Sequence, residues 1–466
     1  METPKKSVNQ EKYGRWLVWA LIALYGAACL YLYYMQSIQP LDYNNRYFQS
    51  DLPYHISMIV DDGWYYSFTA YAYQLLYYLC GKATVGIALF LAVVTVASVL
   101  LTEQLLRRMT DQDRQSTLTL AAALILNLVM PLYLEAAGSY RYVSYQSGNL
   151  WHNSTYLCMR LLALAALLYY QKLEEVYRNR ITMTQWLVFA VLLVVCTGVK
   201  PSFLTVFAPV LAFKLLWDLC HGVRFRQVFC LGASVLPACG VILWQNMVLF
   251  GEDTGNGMTF APWYTFSLHA DRPKLAVLCS LAFPLVVLAG SLLALTKEQW
   301  RQMLNGKGEA ESKNRDQLRL DRWYVFIWMM TLVGFAEALC LVETGSRSRD
   351  GNFLWGYLFA VFLLYVISLV KWLSLWHADR TLYIWRRRER DAVQDRSTEQ
   401  ERGTVQERAT GQERDTVQDR ATGQKIRWIL VRAAFVLAGL VLLYQLWCGV
   451  YFFIRLVCGE TYFMMR

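Results

Sequence analysis

The 466-residue chain is 56% hydrophobic and 17% charged, and its formal net charge is +10. That composition is typical of an integral membrane protein, in which an excess of Lys and Arg usually lies in cytoplasmic loops, so the charge does not indicate a nucleic-acid partner. The eleven cysteines include no CxxC pair and no Cys/His spacing of the kind that binds zinc.

Roughly eleven apolar runs approach the length of about 20 residues that crosses a bilayer. The first run, WLVWALIALYGAACLYLYYM, is longer than the apolar core of a signal peptide and ends in aromatic residues. The sequence therefore predicts an all-α, polytopic membrane protein. Lys200 and Pro201 separate two of its runs, which form either two spans or one broken segment. The spanning helices are predicted at 16–35, 84–102, 117–134, 154–171, 185–200, 202–219, 228–248, 275–295, 323–342, 354–372 and 428–447.

The distribution of Lys and Arg orients these helices. Four basic residues precede the first span, and every second loop after it is basic, whereas the loops between hold few. The amino terminus is therefore predicted to be cytoplasmic and the carboxyl terminus extracytoplasmic, in a multi-pass protein of the plasma membrane. The predicted parts are a cytoplasmic N-terminus (1–15), a transmembrane domain (16–372), a charged cytoplasmic linker (373–427) and a C-terminal helix with an outer tail (428–466).

The linker holds a twelve-residue unit that recurs three times over 389–424: ERDAVQDRSTEQ, ERGTVQERATGQ and ERDTVQDRATGQ. Each copy has one Val as its only large apolar residue, so stacked copies would bury almost no apolar surface. The alternation of acids with Arg suits a solvated helix or an extended linker. We interpret the repeats as a spacer, with a partner-binding arm as the alternative.

The segment 63–79, GWYYSFTAYAYQLLYYL, contains eight aromatic residues among seventeen. Trp and Tyr favour the headgroup level of a membrane, so this segment is predicted to be a helix that lies along the outer interface. The alternative is a tilted second span, with the next apolar run re-entrant.

Ionisable residues gather in and near the loops predicted to be extracytoplasmic. Such residues are costly at membrane depth, and they tend to face a cavity in which they have a function. The extracytoplasmic face is therefore predicted to be the working face. The candidate site residues are Asp51, His55, Asp61 and Asp62 in the first outer loop, His152 and Asn153 in the second, Arg160 and Lys200 near helix ends, and Glu343, Arg347, Arg349 and Asp350 after the ninth span.

The stretch SDLPYHI, followed by DDGWYYSFTAYAYQLLYYL, resembles the first outer loop of the GT-C superfamily of membrane glycosyltransferases. GNLWHNSTYLCMR, VKPSF and ETGSRSRDGNFLWGY also resemble stretches of bacterial membrane proteins of this type, so the resemblance covers the chain to about Tyr357. It implies an enzyme that transfers a sugar, with inversion, from a polyprenyl-phosphate carrier to a glycan or lipid acceptor outside the cytoplasm. It also implies an essential acid after the first helix. That acid is either Asp51, which lacks the usual acidic neighbour, or the pair Asp61 and Asp62.

Such a transfer explains the residue types. A carboxylate within reach of the acceptor hydroxyl can take its proton, and cations can stabilise the charge that develops on the leaving phosphate. Arginine suits this role because its planar fork pairs two phosphate oxygens. The predicted cations are Arg160, Lys200, Arg347 and Arg349.

Several candidates have a second interpretation. His55 either orients the neighbouring carboxylate, contacts a phosphate or is an ordinary interface histidine. Arg160 either contacts a phosphate or pairs with Glu135 or Glu337 inside the membrane, and Asn153 either lines the site or caps a helix. The chemistry requires no cofactor, although outer carboxylates can hold Mg²⁺ or Mn²⁺.

Two other functions fit parts of the pattern. A transporter or flippase for lipid-linked saccharides also needs outer cations, but alternating access predicts matching sites toward both faces and internal repeats among the spans. A polysaccharide polymerase or ligase also works outside on lipid-linked glycans. It typically has one dominant outer loop late in the chain and paired arginines, whereas here the acid comes early and the outer loops are modest.

Overall fold

A computed structural model describes residues 4–41, 47–63, 66–110, 116–250, 257–294, 312–375, 411–463, 465 and 466, most of which are helical. The helices up to residue 250 are α1 (Pro4–Ser37), α2 (Leu52–Val60), α3 (Phe68–Leu79), α4 (Val85–Met109), α5 (Thr117–Leu126), α6 (Ser154–Val176), α7 (Met183–Val199), α8 (Ser202–Cys220), α9 (Phe225–Ala233) and α10 (Leu236–Phe250). The later elements are β1 (Met258–Phe260), α11 (Tyr264–Ser267), α12 (Pro273–Ser280), α13 (Ala282–Ala294), α14 (Ser312–Cys340), β2 (Leu341–Glu343), a 3₁₀ turn (Gly345–Arg347), α15 (Leu354–Leu375) and α16 (Gly411–Val457).

Among the described residues, seven helical segments are long and apolar enough to cross a membrane. The number rises to eight if α12 and α13, which are bent by 65° at their junction, form one broken span. The helices α9 and α10 count together as one of the seven. A mostly helical, multi-pass membrane protein is therefore confirmed, whereas the predicted count of about eleven spans is not.

The count differs at four predicted spans: 117–134, 154–171, 185–200 and 275–295. The last corresponds to the bent pair α12 and α13, and α6, with 23 residues, is not among the seven. The helix α5 has 10 residues and α7 has 17, fewer than the about 20 residues that cross the hydrocarbon layer. After α5 the chain leaves the helix before Pro131, which has no backbone N–H, and continues as a largely buried loop to Asn153. Hydropathy alone does not distinguish such a buried loop from a membrane helix.

The helix α3 has 12 residues, a length of about 18 Å. It is therefore too short for a complete span, and the alternative of a tilted second span over 63–79 loses its support. Its predicted place along the outer interface stays a prediction.

The described residues belong to two compact units. The first comprises residues 1–281, 322–366 and 445–466, and the second comprises residues 282–321 and 367–444. The first two repeats of the linker fall almost wholly within 376–410, outside the described residues, and the third, 413–424, belongs to α16. All the residues considered below belong to the first unit.

The long loop between α5 and α6 is fixed by side-chain hydrogen bonds. Asn149 Nδ2 donates to the carbonyl oxygens of Leu126 (2.8 Å) and Val129 (2.7 Å), and the buried Trp151 Nε1 donates to the Tyr25 hydroxyl of α1 (2.9 Å). Buried backbone groups outside helices need such partners. The loop therefore delivers the residues just before α6 to a defined position.

The two strands form an antiparallel pair in which Met258 lies opposite Glu343. Because β2 follows α14 without a break, the pairing fixes the chain at the point where that helix ends. The buried carboxylate of Glu343 is thereby held in place.

Candidate functional site

The first two candidate residues lie on one turn of α2. Asp51 directly precedes the helix, and Pro53 occupies its first turn, where a missing N–H costs no helical hydrogen bond. The His55 N–H donates to the Asp51 carbonyl oxygen (3.0 Å). Asp51 and His55 therefore lie one helical turn apart.

The Asp51 carboxylate contacts the residues that precede α6. Asn153 Nδ2 donates to Asp51 Oδ2 (2.9 Å), and His152 Nε2 lies 3.9 Å from the same oxygen. Asn153 Oδ1 accepts from the Tyr156 N–H (2.9 Å), so Asn153 caps α6 and also binds Asp51. Its role as a substrate-binding residue stays a prediction. The Asp51 side chain keeps 34% of its surface exposed, whereas that of His152 keeps 3%.

Lys200 lies at the break between α7 and α8 and reaches the same place. Its Nζ donates to Thr155 Oγ1 (3.2 Å), and Thr155 Oγ1 in turn donates to Asn153 Oδ1 (2.9 Å). The Lys200 ammonium also lies 4.7 Å from the ring centroid of Trp355, a distance typical of a cation–π contact. Two neutral side chains therefore separate Lys200 from the Asp51 carboxylate.

The residues after β2 complete the arrangement. Arg347 Nε lies 3.2 Å from Glu343 Oε2, and Asn352 Nδ2 donates to the same oxygen (2.6 Å). Trp355 Nε1 donates to Asn352 Oδ1 (3.2 Å), which links this loop to the ring beside Lys200. We use the name Asp51 cluster for Asp51, His55, His152, Asn153, Lys200, Glu343 and Arg347.

Burial shifts the titration of the cluster. It lowers the pKa of His55 and of His152 to about 4 each, although the charge of Asp51 opposes the shift. It lowers the pKa of Lys200 to about 8, against the opposing charge of Asp51 and with help from the charge of Arg347. At neutral pH both imidazoles are therefore uncharged and Lys200 is mostly protonated.

Four predicted site residues lie elsewhere: Asp61, Asp62, Arg349 and Arg160, the last of which is described separately below. Asp61 and Asp62 are exposed beyond the opposite end of α2, where Asp61 accepts from Ser57 Oγ (2.8 Å). Arg349 is exposed, and its charge acts on His269, whose pKa is lowered first by burial and then by that charge.

Asp350 is closer to the cluster, because its charge acts on Lys200. Of the four residues predicted after the ninth span, Glu343, Arg347 and Asp350 therefore interact electrostatically with the cluster. Arg349 is not among the groups whose charges act on Lys200 or His55.

Arg160 belongs to a separate buried network. Its guanidinium donates to Asn149 Oδ1 (2.8 Å) and to Asn127 Oδ1, and it lies 3.9 Å from the ring centroid of Phe362. Neither Glu135 nor Glu337, the two carboxylates considered as its partners, is among these contacts. Glu337 instead accepts a hydrogen bond from the Thr205 hydroxyl. A cavity beside this network is lined in part by Asn149 and Phe362, and its lining does not reach the Asp51 cluster.

A second ionisable cluster lies at the far end of α6, and the sequence did not indicate it. Lys214 Nζ lies 2.7 Å from Asp218 Oδ2 and 3.5 Å from Glu174 Oε1. Arg178 Nη2 lies 2.8 Å from Asp218 Oδ1, and the Tyr177 hydroxyl donates to Asp218 Oδ2. We use the name Asp218 cluster for Glu174, Tyr177, Arg178, Lys214 and Asp218.

The described residues contain no group of three or more His, Cys, Asp or Glu side chains placed to hold a metal ion. The Asp51 carboxylate accepts a hydrogen bond from the Asn153 amide N–H, which has no lone pair to offer a metal ion. A metal ion at Asp51 would therefore need ligands from the substrate or from water.

Comparison with known proteins adds no relative. The sequence matches no protein-family model, and no curated protein or solved structure is similar to it. The residues that sequence reasoning missed are the neutral links Thr155 and Asn352 and three aromatic residues beside His152, which are Tyr142, Tyr462 and Phe463.

Proposed function

We propose that the protein is a membrane glycosyltransferase of the GT-C type, which transfers a sugar from a polyprenyl-phosphate carrier to a glycan or lipid acceptor in cell-envelope assembly. One observation carries the proposal. An accessible carboxylate, Asp51, is brought within hydrogen-bond contact of Asn153 and near the cation Lys200 although these residues are far apart in sequence.

Asp51 is the proposed general base. It takes the proton of the acceptor hydroxyl as the acceptor oxygen bonds to the anomeric carbon, and the bond from that carbon to the phosphate oxygen breaks. Asn153 holds one carboxylate oxygen in position. His152 is uncharged at neutral pH, so it adds no positive charge that would reduce the basicity of the carboxylate.

Lys200 and Arg347 are the proposed partners of the leaving phosphate, which departs with the electron pair of the broken bond. Their charges act on one another across the cluster, so a phosphate dianion between them would relieve that repulsion. Arg347 is already paired with Glu343, which leaves Lys200 as the principal phosphate ligand.

The proposed orientation places this cluster on the extracytoplasmic side, with the amino terminus in the cytoplasm. Three exposed cysteines test it. The charge pattern puts Cys80 and Cys458 outside and Cys220 inside. In variants that keep one of the three, a membrane-impermeant maleimide added to intact cells should label Cys80 and Cys458 but not Cys220. Labelling of Cys220 alone would overturn the orientation.

The transfer itself is tested on purified protein in liposomes. Polyprenyl monophosphate and diphosphate donors carrying radiolabelled hexoses are incubated with the protein, and the release of the label from the carrier is measured. Asp51→Asn should lower transfer by about 10²- to 10⁴-fold. Asp271→Asn, a matched change at an exposed residue of another loop, should not.

Two results would contradict the proposal in different ways. Normal transfer by Asp51→Asn with loss in Asp61→Asn would move the base to the far end of α2. No turnover of any donor by the wild-type protein, with sugar carriers moving intact between leaflets, would favour a transporter.

The transporter is a second candidate because the Asp218 cluster gives the far end of α6 a polar site of its own. The charges of the Asp218 cluster are directly paired with one another, which leaves little capacity for a ligand. A polymerase or ligase would also use Asp51, and it would be recognised by the length of its products.

A further inference from the structure

The segment 459–466, of which all residues but 464 are described, follows α16 and is bound to the chain just before Asp51. The Phe48 N–H donates to the Gly459 carbonyl oxygen (3.1 Å). Thr461 Oγ1 donates to Gln49 Oε1 (2.8 Å). These bonds fix the segment beside the start of α2.

The same segment is bound to the loop that leads to His152. The Arg141 N–H donates to the Met465 carbonyl oxygen (2.9 Å), and the Arg466 guanidinium lies 5.6 Å from the ring centroid of Tyr140. The segment therefore bridges the two loops whose ends meet at the Asp51–His152 contact.

Tyr462 is the residue of this segment that reaches the cluster. It is fully buried, and its ring centroid lies 3.9 Å from that of His152 and 4.2 Å from that of Tyr142. Phe463 and Trp355 lie at 5.3 and 6.0 Å from the same imidazole. The Tyr142 ring centroid lies 5.1 Å from that of His152, so four aromatic rings surround the imidazole.

This packing is what holds the imidazole in its orientation. His152 Nδ1 is buried and has no hydrogen-bond partner among the described residues, and its Nε2 lies 3.9 Å from Asp51, beyond normal hydrogen-bond length. A hydrogen bond made by one ring nitrogen constrains a histidine and determines which nitrogen carries the proton. Here that constraint is replaced by ring contacts, of which the contact to Tyr462 is the shortest.

We propose that Tyr462 is a positioning residue of the Asp51 cluster, which orients the His152 imidazole against Asp51 and keeps water from it. His152 itself, predicted from the sequence to bind substrate, is then enclosed and acts through Asp51. The catalytic consequence rests on the proposed function, whereas the enclosure of His152 does not.

The enclosure is tested with diethyl pyrocarbonate, which acylates uncharged imidazoles. Full-length protein in detergent is treated near pH 7, and acylation of the His152 and His221 peptides is followed by mass spectrometry. His152 should be protected in the wild type relative to the exposed His221. Tyr462→Leu should abolish the protection of His152, whereas Tyr462→Phe, which keeps the ring, should retain it. Trp447→Leu, at an exposed aromatic residue of α16, is the matched control.

A second readout separates positioning from general loosening. With ¹³C-labelled histidine, the His152 signal should titrate near pH 4 in the wild type and move toward the free-imidazole value of about 6.5 in Tyr462→Leu. Where donor turnover is found, the same variant should lose up to about 100-fold in kcat with a smaller change in KM.

The outcomes are distinguishable. Unchanged His152 protection and titration in a folded Tyr462→Leu protein would overturn the positioning role, even if Asp51→Asn abolishes transfer. If Tyr462→Leu loses the protection of His152 but the wild-type protein transfers no sugar, the positioning role is kept and the proposed function is rejected. Equal loss in Trp447→Leu would show that the effect is not specific to Tyr462.

Discussion

The Asp51 cluster and the Asp218 cluster lie at opposite ends of α6, and they differ in how their charges are compensated. In the Asp218 cluster two cations lie 2.7 and 2.8 Å from the two oxygens of one carboxylate. In the Asp51 cluster Lys200 is connected to the carboxylate only through Thr155 and Asn153. Lys200 is therefore available to a ligand, whereas Lys214 and Arg178 are already paired with a carboxylate.

The exposure of the two carboxylates agrees with this difference. The Asp218 side chain keeps 6% of its surface exposed and that of Asp51 keeps 34%. A buried ion pair gains strength from the low dielectric around it but makes the loss of either partner costly. The contrast therefore predicts that activity and stability respond to different substitutions.

The largest effect is expected for Asp51→Asn. Because an amide cannot take the proton of the substrate hydroxyl, the proposed sugar transfer should fall by about 10²- to 10⁴-fold. The melting temperature in detergent should stay near that of the wild type. A large drop in melting temperature would mean that Asp51 stabilises the fold in the way that Asp218 does, and the contrast would fail.

Asp218→Asn should have the opposite outcome. It leaves Arg178 without its carboxylate partner and Lys214 with Glu174 alone, so unfolding should become easier by about 3 kcal/mol. Chemical denaturation followed by Trp fluorescence measures the change, with Asp271→Asn as the exposed control. A stability equal to that of the wild type would show that the pairs at the Asp218 cluster contribute nothing net.

The pH dependence sharpens the assignment of Lys200. With its pKa lowered to about 8, the ammonium is lost as the pH rises through that value, and kcat/KM should fall there. Below about pH 4 the rate should fall again as His55 and His152 become charged. Lys200→Arg should move the alkaline limb upward, because guanidinium does not deprotonate in this range. An unmoved limb would assign it to another group.

The smallest effect is expected at Trp355. Trp355→Leu removes the ring beside the Lys200 ammonium, an interaction of about 1 kcal/mol, so KM for the donor should rise by about fivefold with little change in kcat. Trp217→Leu, at an exposed ring far along α8, is a suitable control. A fall in kcat without a change in KM would place Trp355 in the reaction rather than in donor binding.

Local features of the site could be predicted from the sequence. The turn that joins Asp51 to His55 follows from an acid before a proline-started helix, and the break at Lys200 follows from Pro201. Membrane helices themselves were evident from apolar run length. These signals need only a few neighbouring residues.

The remaining features depend on contacts between distant parts of the chain. The bond from Asn153 to Asp51 and the contacts of Asp218 with Arg178 and of Lys214 with Glu174 join distant parts of the chain. A single sequence does not record which of these partners meet. The apolar loop after α5 was taken for a span because burial in protein and burial in lipid select the same side chains. Only the three-dimensional arrangement separates them.

The bridge made by residues 459–466 has a consequence for biosynthesis. The ribosome produces these residues after every helix that surrounds His152. The nascent chain therefore inserts into the bilayer while the His152 imidazole is still uncovered and the two loops are not yet joined. The Asp51 cluster is therefore completed only after the helices have been made, and its final assembly is separate from membrane insertion. A chain that ends at residue 458 should insert into the membrane normally but should leave His152 uncovered.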